Sequence, residues 1–221
     1  SYSMVDGQFA DILTANTFEA FHSGKRQPIG DVLLTGATGY LGIHILKELL
    51  DNYHGRILCP IRAEDNEKAL SRLKSLYFYY FEDFDNFDER VTVFTAEVTQ
   101  PNAFDSINDQ LTVINCVANV KHFSAGNDIE MVNIESVRHL IAFCLRTGSR
   151  LIHISTNSIA GMSVDGNPGP AVKLTEHTFN IGQNIDANKY VYSKYKAEEL
   201  VLEAIEQHGL NAKITRVVKL S

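Results

Sequence analysis

Tryptophan is missing from the 221 residues, and only three cysteines and five prolines are present. Cys59, Cys116 and Cys144 are odd in number, far apart and set among apolar neighbours. That pattern speaks against a disulfide framework and against cysteine-based metal ligation, and it fits reduced core thiols in a cytoplasmic protein. No apolar run approaches the ~18–20 residues that span a bilayer, so no membrane partner is expected. Ser1–Met4 holds no basic segment followed by an apolar one, so no signal peptide is expected. Positive charge is the scarcer sign: 20 Lys and Arg face 27 Asp and Glu, a net −7. This balance argues against nucleic acid or an anionic lipid surface as partner, while leaving room for a local basic pocket that takes one phosphate. Repeats and low-complexity tracts are absent as well.

What is present is enough apolar material, 44% of residues, for one good core. Asp31–Leu34, Arg56–Ile61, Val91–Phe94, Thr112–Cys116, Leu151–Ile154 and Ala212–Val217 have the character of strands. Helical periodicity fills Asn66–Phe81, Asp128–Thr147 and Lys189–His208. Strands alternating with helices of this length imply right-handed crossovers, and so an α/β fold with a doubly wound parallel sheet covered on both faces. Residues 1–29, with Phe9, Ile12, Leu13, Phe18 and Phe21, are expected to form a helical segment packing on the domain of residues 30–221. The acidic stretch around Glu82, Asp83, Asp85, Asp88 and Glu89 is expected as a solvated loop anchored by Phe84 and Phe87. The Tyr77–Phe81 cluster is expected to pack against the sheet. Ser163–Asn188 is long for a connection, as lids and substrate loops are.

The densest signal is the junction from the first strand through Thr35-Gly36-Ala37-Thr38-Gly39-Tyr40-Leu41-Gly42 into Ile43, Ile45, Leu46, Leu49 and Leu50 at helical spacing. It has the form of a dinucleotide-binding turn. Gly36 supplies backbone angles closed to other residues, and Gly39 leaves no β-carbon where a pyrophosphate approaches. Gly42 lets helix and strand close together, and the helix start offers free N–H groups and partial positive charge. Gly36, Thr38, Gly39, Tyr40 and Leu41 are the candidate contacts. At the end of the second strand, an Asp or Glu would read both ribose hydroxyls of NAD. Arg62 stands there instead, with Arg72 ten residues on, and two guanidiniums suit a 2′-phosphate through forked hydrogen bonds. NADP(H) is therefore the expected cofactor. Glu97 and Val98 follow the third strand, where the chain passes an adenine.

Asn188–Glu198 contains two overlapping Tyr-x-x-x-Lys pairs, Tyr190/Lys194 and Tyr192/Lys196, and residues four apart share a helix face. A neighbouring ammonium favours phenolate and so tunes a tyrosine for proton transfer to a carbonyl. Upstream, Ser155-Thr156 closes the fifth strand with hydroxyls at the end that faces the ligand crevice in such sheets. His44, His122, His139, His153 and His177 lack paired spacing, so they are expected as surface or core residues and no metal is expected.

Taken together, the glycine turn, the fifth-strand hydroxyl and the Tyr/Lys helix resemble an extended short-chain dehydrogenase/reductase of Rossmann type. Thr35–Gly42, Ile61-Arg62, Asn115–Val120 and Val132–Val137 are similar to the terminal thioester reductase domains of nonribosomal peptide synthetases, kin of carboxylic acid and aminoadipate reductases. The resemblance runs from about Gly30 to Val217. It implies Tyr190 and Lys194 as the working pair, because Ser193-Lys194-Tyr195-Lys196-Ala197-Glu198 fits the family pattern only in that register. It further implies Thr156 as the catalytic hydroxyl, and Ala118, Tyr190 and Lys194 beside the cofactor. The implied reaction is NADPH-dependent release of an acyl or peptidyl thioester from a phosphopantetheine-bearing carrier domain, as aldehyde or on to alcohol, within a larger multidomain synthetase. The family's C-terminal substrate lobe is expected to be largely absent from these residues. A reductase or epimerase acting on a nucleotide sugar or other small carbonyl compound, and a non-catalytic NADP(H)-binding fragment, remain as alternatives.

Overall fold

A computed structural model describes residues 29–116, 128–156 and 185–217, with only the backbone given for 128–131, 156, 185–192 and 216–217. Its elements are β1 (Val32–Thr35), α1 (Tyr40–Asn52), β2 (Ile57–Ile61), α2 (Asn66–Phe81), α3 (Phe87–Arg90), β3 (Val91–Thr95), β4 (Thr112–Cys116), α4 (Asp128–Thr147), β5 (Arg150–Thr156), α5 (Ile185–His208) and β6 (Ala212–Val217). The strands form one sheet in the order β3-β2-β1-β4-β5-β6, and every pairing is parallel. The strand order reverses between β1 and β4, and at such a switch point the helices depart to opposite faces and open a crevice. The expected doubly wound Rossmann-type sheet is the observed one.

Alternation along the strands builds two cores. Val32, Leu34, Ile114, Ile152 and Ile154 point to one face, with α1 and the Ala69/Leu73/Tyr77 stripe of α2. Leu33, Val113 and Leu151 point to the other, under Val137, Leu140 and Cys144 of α4 and Ala197, Val201 and Ala204 of α5. A strand buried on both faces reads as a continuous apolar run, as β1 does. Pro60 lacks an amide donor, and the β1–β2 register stops two residues before it, at Leu33↔Leu58. Arg90 closes the far end of α1, donating to the carbonyls of Leu49, Leu50 and Gly55 at 3.0, 2.9 and 2.9 Å. A cation at a helix carboxyl end is favoured by the helix dipole as well as by these bonds.

Three expectations change. Helix α5 begins at Ile185 rather than Lys189, so the long connection loses its last four residues to the helix. The acidic stretch contains the single-turn α3, and of its two rings only Phe87 is buried, whereas Phe84 is partly exposed and stacks on Phe78 at 5.3 Å. The aromatic cluster is also split: Tyr77 is fully buried, but Phe78, Tyr79 and Tyr80 are exposed by 49%, 78% and 38%. Helical geometry turns neighbouring residues about 100° apart, so five aromatics in a row cannot all face one sheet. Residues 1–28 and the stretch 157–184 lie outside the described residues, and so do the N-terminal helical segment and most of the long connection.

Candidate active site

The turn after β1 has the geometry that its glycines imply. Gly36 sits at φ +72°, and a β-carbon there would lie 1.8 Å from the Cys116 carbonyl oxygen at the end of β4. A β-carbon on Gly42 would lie 1.9 Å from the Gly36 carbonyl oxygen, so the first turn of α1 rests directly on the strand exit. Gly39 is the N-cap and has no side chain to occupy the first-turn amides, and no acidic residue follows it there. Its N–H donates to Gly36 at 2.9 Å, closing the turn. A bare helix N-terminus beside a tight glycine cradle fits the diphosphate of a dinucleotide.

At the carboxyl ends of β2 and β3 the structure brings together three residues that the sequence offered separately. Arg62 Nε lies 3.1 Å from Glu97 Oε2, and Arg72 Nη1 donates to the Arg62 carbonyl at 3.4 Å. Glu97 Oε1 accepts from Thr99 Oγ1 at 3.0 Å, and the Thr99 carbonyl accepts from His139 Nε2 on α4, also at 3.0 Å. Val98 is half-buried against the second core. Ala118, His122 and His177 lie outside the described residues.

Among the described residues, Lys194 is a charged side chain that is nonetheless buried, with 3% of its surface exposed. Loss of hydration pushes its pKa down to about 8, against the opposing pull of the Glu198 carboxylate. Lys196, by contrast, is half-exposed and donates to Glu199 at 2.9 Å. Tyr190 lies one turn before Lys194 within α5, and Thr156 ends β5 paired in register with Val217. The buried thiol of Cys116 is pushed up to about 12, which keeps it protonated and unreactive.

Beneath the site runs a polar ladder that sequence reading missed. Thr35 Oγ1 donates to Asn115 Oδ1 at 2.5 Å, and Asn115 Nδ2 donates to His153 Nδ1 at 3.0 Å, all three being buried. They are register partners across β1, β4 and β5. Burial, with Lys194 nearby, pushes the His153 pKa down to about 4, so the ring is neutral. Its Nε2 is buried with no hydrogen-bond partner among the described residues. The available signal was a polar residue near the carboxyl end of β1 and β4 and in the middle of β5, where a buried strand would favour an apolar one. The bond between Asn133 on α4 and Ser193 on α5, at 2.9 Å, was likewise unforeseen. The described residues hold no cluster of metal-ligating side chains and no helix long and apolar enough to cross a membrane.

The model of an NAD-binding family described as male sterility protein matches residues 34–219. The chain belongs to that family. Within and around the male sterility protein family, its relatives point one way. It is 35% identical to a thiolation-reductase di-domain from an archaeal nonribosomal peptide synthetase, with a TM-score of 0.71 over 96% of this chain and 46% of that one. It is 29% identical over 210 residues to a carboxylic acid reductase of Mycobacterium tuberculosis, covering 84% of this chain and 17% of the reductase. An isonitrile lipopeptide synthase of Streptomyces coeruleorubidus is 28% identical over 198 residues, 86% of this chain and 13% of the synthase. The chain thus corresponds to less than half of that solved di-domain and to a small share of the large enzymes. A nicotinamide cofactor agrees with both the family and the glycine cradle.

Proposed function

We propose that this chain is the cofactor-binding part of an NADPH-dependent thioester reductase, which frees an acyl or peptidyl group from a carrier domain as an aldehyde. The observation that carries the reading is Lys194, an ammonium buried in α5 one turn after Tyr190 and close to the end of β4. Burying a lysine is costly, and such residues are usually found where their charge or proton is used. The Arg62/Arg72 arrangement supports NADPH over NADH. Similarity to the archaeal thiolation-reductase di-domain supports a phosphopantetheine-bearing carrier as partner and a place in a larger synthetase. Three buried free thiols accord with a reducing, cytoplasmic setting. Residues 30–221 are taken as this domain, and residues 1–29 as a helical segment packing on it.

When bound, the reduced nicotinamide supplies a hydride. The chain's own residues do the rest. Gly36, Thr38, Gly39, Tyr40 and Leu41 hold the diphosphate, Arg62 and Arg72 take the 2′-phosphate, and Glu97, Val98 and Ala118 border the adenine and nicotinamide ends. Lys194 orients the ribose hydroxyls and favours proton loss from Tyr190. Tyr190 and Thr156 donate to the thioester oxygen, and Tyr190 delivers its proton as negative charge develops there. Aimed donors of this kind contribute heavily, and loss of one costs about 2.7–4 kcal/mol. The tetrahedral hemithioacetal then breaks its carbon–sulfur bond, giving the aldehyde and the carrier thiol. A second reduction of the aldehyde would give the alcohol.

The test is NADPH consumption by the native polypeptide containing this chain, with an acyl-pantetheine thioester and, separately, a nucleotide sugar. Turnover of the thioester, abolished by Tyr190→Phe with cofactor affinity held within a few-fold, is the expected result. Turnover of the sugar alone would overturn the substrate assignment. Loss of turnover in Tyr192→Phe but not in Tyr190→Phe would overturn the register.

A further inference from the structure

We infer that Glu97 sets how strongly this chain distinguishes a 2′-phosphorylated adenosine from an unphosphorylated one, by competing with the phosphate for Arg62. The inference rests on the NADPH reading and gives Glu97 a role beyond bordering the adenine. The amide of Ala96 donates to the Ile61 carbonyl at 3.2 Å, so the turns leaving β2 and β3 run side by side. Arg62 and Glu97 therefore meet across them, Nε to Oε2 at 3.1 Å. Glu97 is anchored on its far side. Glu97 has its second oxygen engaged by Thr99, and the Thr99 carbonyl is tied to His139 of α4. The Arg62 side chain is 67% exposed and projects from the strand tip. The carboxylate is thus held in place beside the guanidinium.

A guanidinium recognises phosphate best through two parallel N–H bonds. Here its Nε already faces a carboxylate, and a phosphate sharing the same cation would sit beside a fixed negative charge. Glu97 therefore opposes binding in two ways: it engages the Nε edge, and it repels the incoming anion. Against this stands whatever Glu97 gains by orienting Arg62, which is small for so exposed a pair. At separations near 6 Å in a water-like dielectric, repulsion between a carboxylate and a nearly dianionic phosphate outweighs that gain, by a net factor on the order of five in affinity. An adenosine without the 2′-phosphate escapes both effects.

The experiment is calorimetric titration of this chain with 2′,5′-ADP and with 5′-AMP, for wild type, Glu97→Gln, Arg62→Ala and the double variant. Wild type should bind 2′,5′-ADP more tightly than 5′-AMP. Glu97→Gln should tighten 2′,5′-ADP about five-fold at low salt, with the gain confined to that nucleotide, shrinking as salt is raised and reduced in the Arg62→Ala background to the part that direct repulsion contributes. Equal weakening of both nucleotides by Glu97→Gln would make Glu97 an adenine or ribose contact and overturn the inference. So would an unchanged or weakened affinity for 2′,5′-ADP, or a gain undiminished in the absence of Arg62. A wild-type chain indifferent to the 2′-phosphate would overturn the NADPH reading itself, and this inference with it.

Discussion

Asn133 Nδ2 donates to Ser193 Oγ at 2.9 Å, joining α4 to α5 at the residue next to Lys194. Both side chains are fully enclosed, and sixty positions separate them in the chain. In water-free surroundings the cost of breaking such a bond is dominated by the partner left behind. Ser193→Ala strands an amide donor and should lower unfolding free energy by roughly 1–3 kcal/mol, measured by denaturant titration. Because the bond ties α5 to α4 next to Lys194, the variant should also lower kcat more than it raises KM for the cofactor. Unchanged kcat in a folded variant would make the bond purely structural.

The ladder beneath the site makes stability depend on acid. His153 has its pKa pushed down to about 4 from 6.5, with desolvation first, then the Lys194 charge, against the opposing pull of Glu198. The unfolded chain therefore takes up a proton below about 6.5 that the folded chain refuses until about 4. Stability is lost as pH falls through that window, by up to roughly 3 kcal/mol at its lower end. Thermal denaturation between pH 7 and pH 4 should show the slope. His153→Gln, which keeps a polar group facing Asn115, should flatten it.

Gly36 and Gly209 separate backbone strain from collision. Both take positive φ, +72° and +65°. A β-carbon on Gly209 meets nothing within 4 Å, whereas one on Gly36 strikes the Cys116 carbonyl at 1.8 Å. Gly209→Ala should cost only the strain of a left-handed residue, about 1–2 kcal/mol. Gly36→Ala should cost clearly more and also abolish dinucleotide binding, because β1 and β4 must part at the switch point. Melting temperatures of the two variants, with a binding titration for each that folds, give the comparison.

These relationships mark where sequence reading stops. Strands such as Thr112–Cys116 and the helix Asn66–Phe81 were legible to the residue, because burial on one or both faces writes its period into neighbouring positions. The start of α5 was not, since its first turn carries little apolar pattern, and a single turn such as α3 is too short to have a period. In the candidate site, Arg62, Arg72, Glu97 and Lys194 were visible as residue types in a motif. Their couplings were not, because Arg62 meets Glu97 through parallel strand register, and Thr35 meets Asn115 eighty positions away. Register follows from the whole sheet, so a pair of polar residues far apart announces itself only after the strands are aligned.

Lys194 and Lys196 offer the sharpest division between a used charge and a solvated one. Lys194 is almost fully enclosed, and desolvation lowers its pKa from 10.5 to about 8; Lys196 is half-exposed and pairs with Glu199. Below about pH 8 the folded chain bears the cost of a buried ammonium, and the cost is relieved only as pH rises through the window from about 8 to 10.5. Lys194→Met removes it, so at neutral pH the variant should be more stable by up to roughly 3 kcal/mol while losing turnover. Lys196→Met deletes one exposed ion pair and should stay within about 0.5 kcal/mol of wild type with activity retained. In the native polypeptide kcat/KM should fall as pH rises through about 8, when Lys194 gives up the charge that tunes Tyr190. Lys194→Arg keeps a cation at all accessible pH and should move that limb upward, at reduced kcat. A Lys194→Met chain that is less stable and still active would show that the buried ammonium serves packing rather than chemistry.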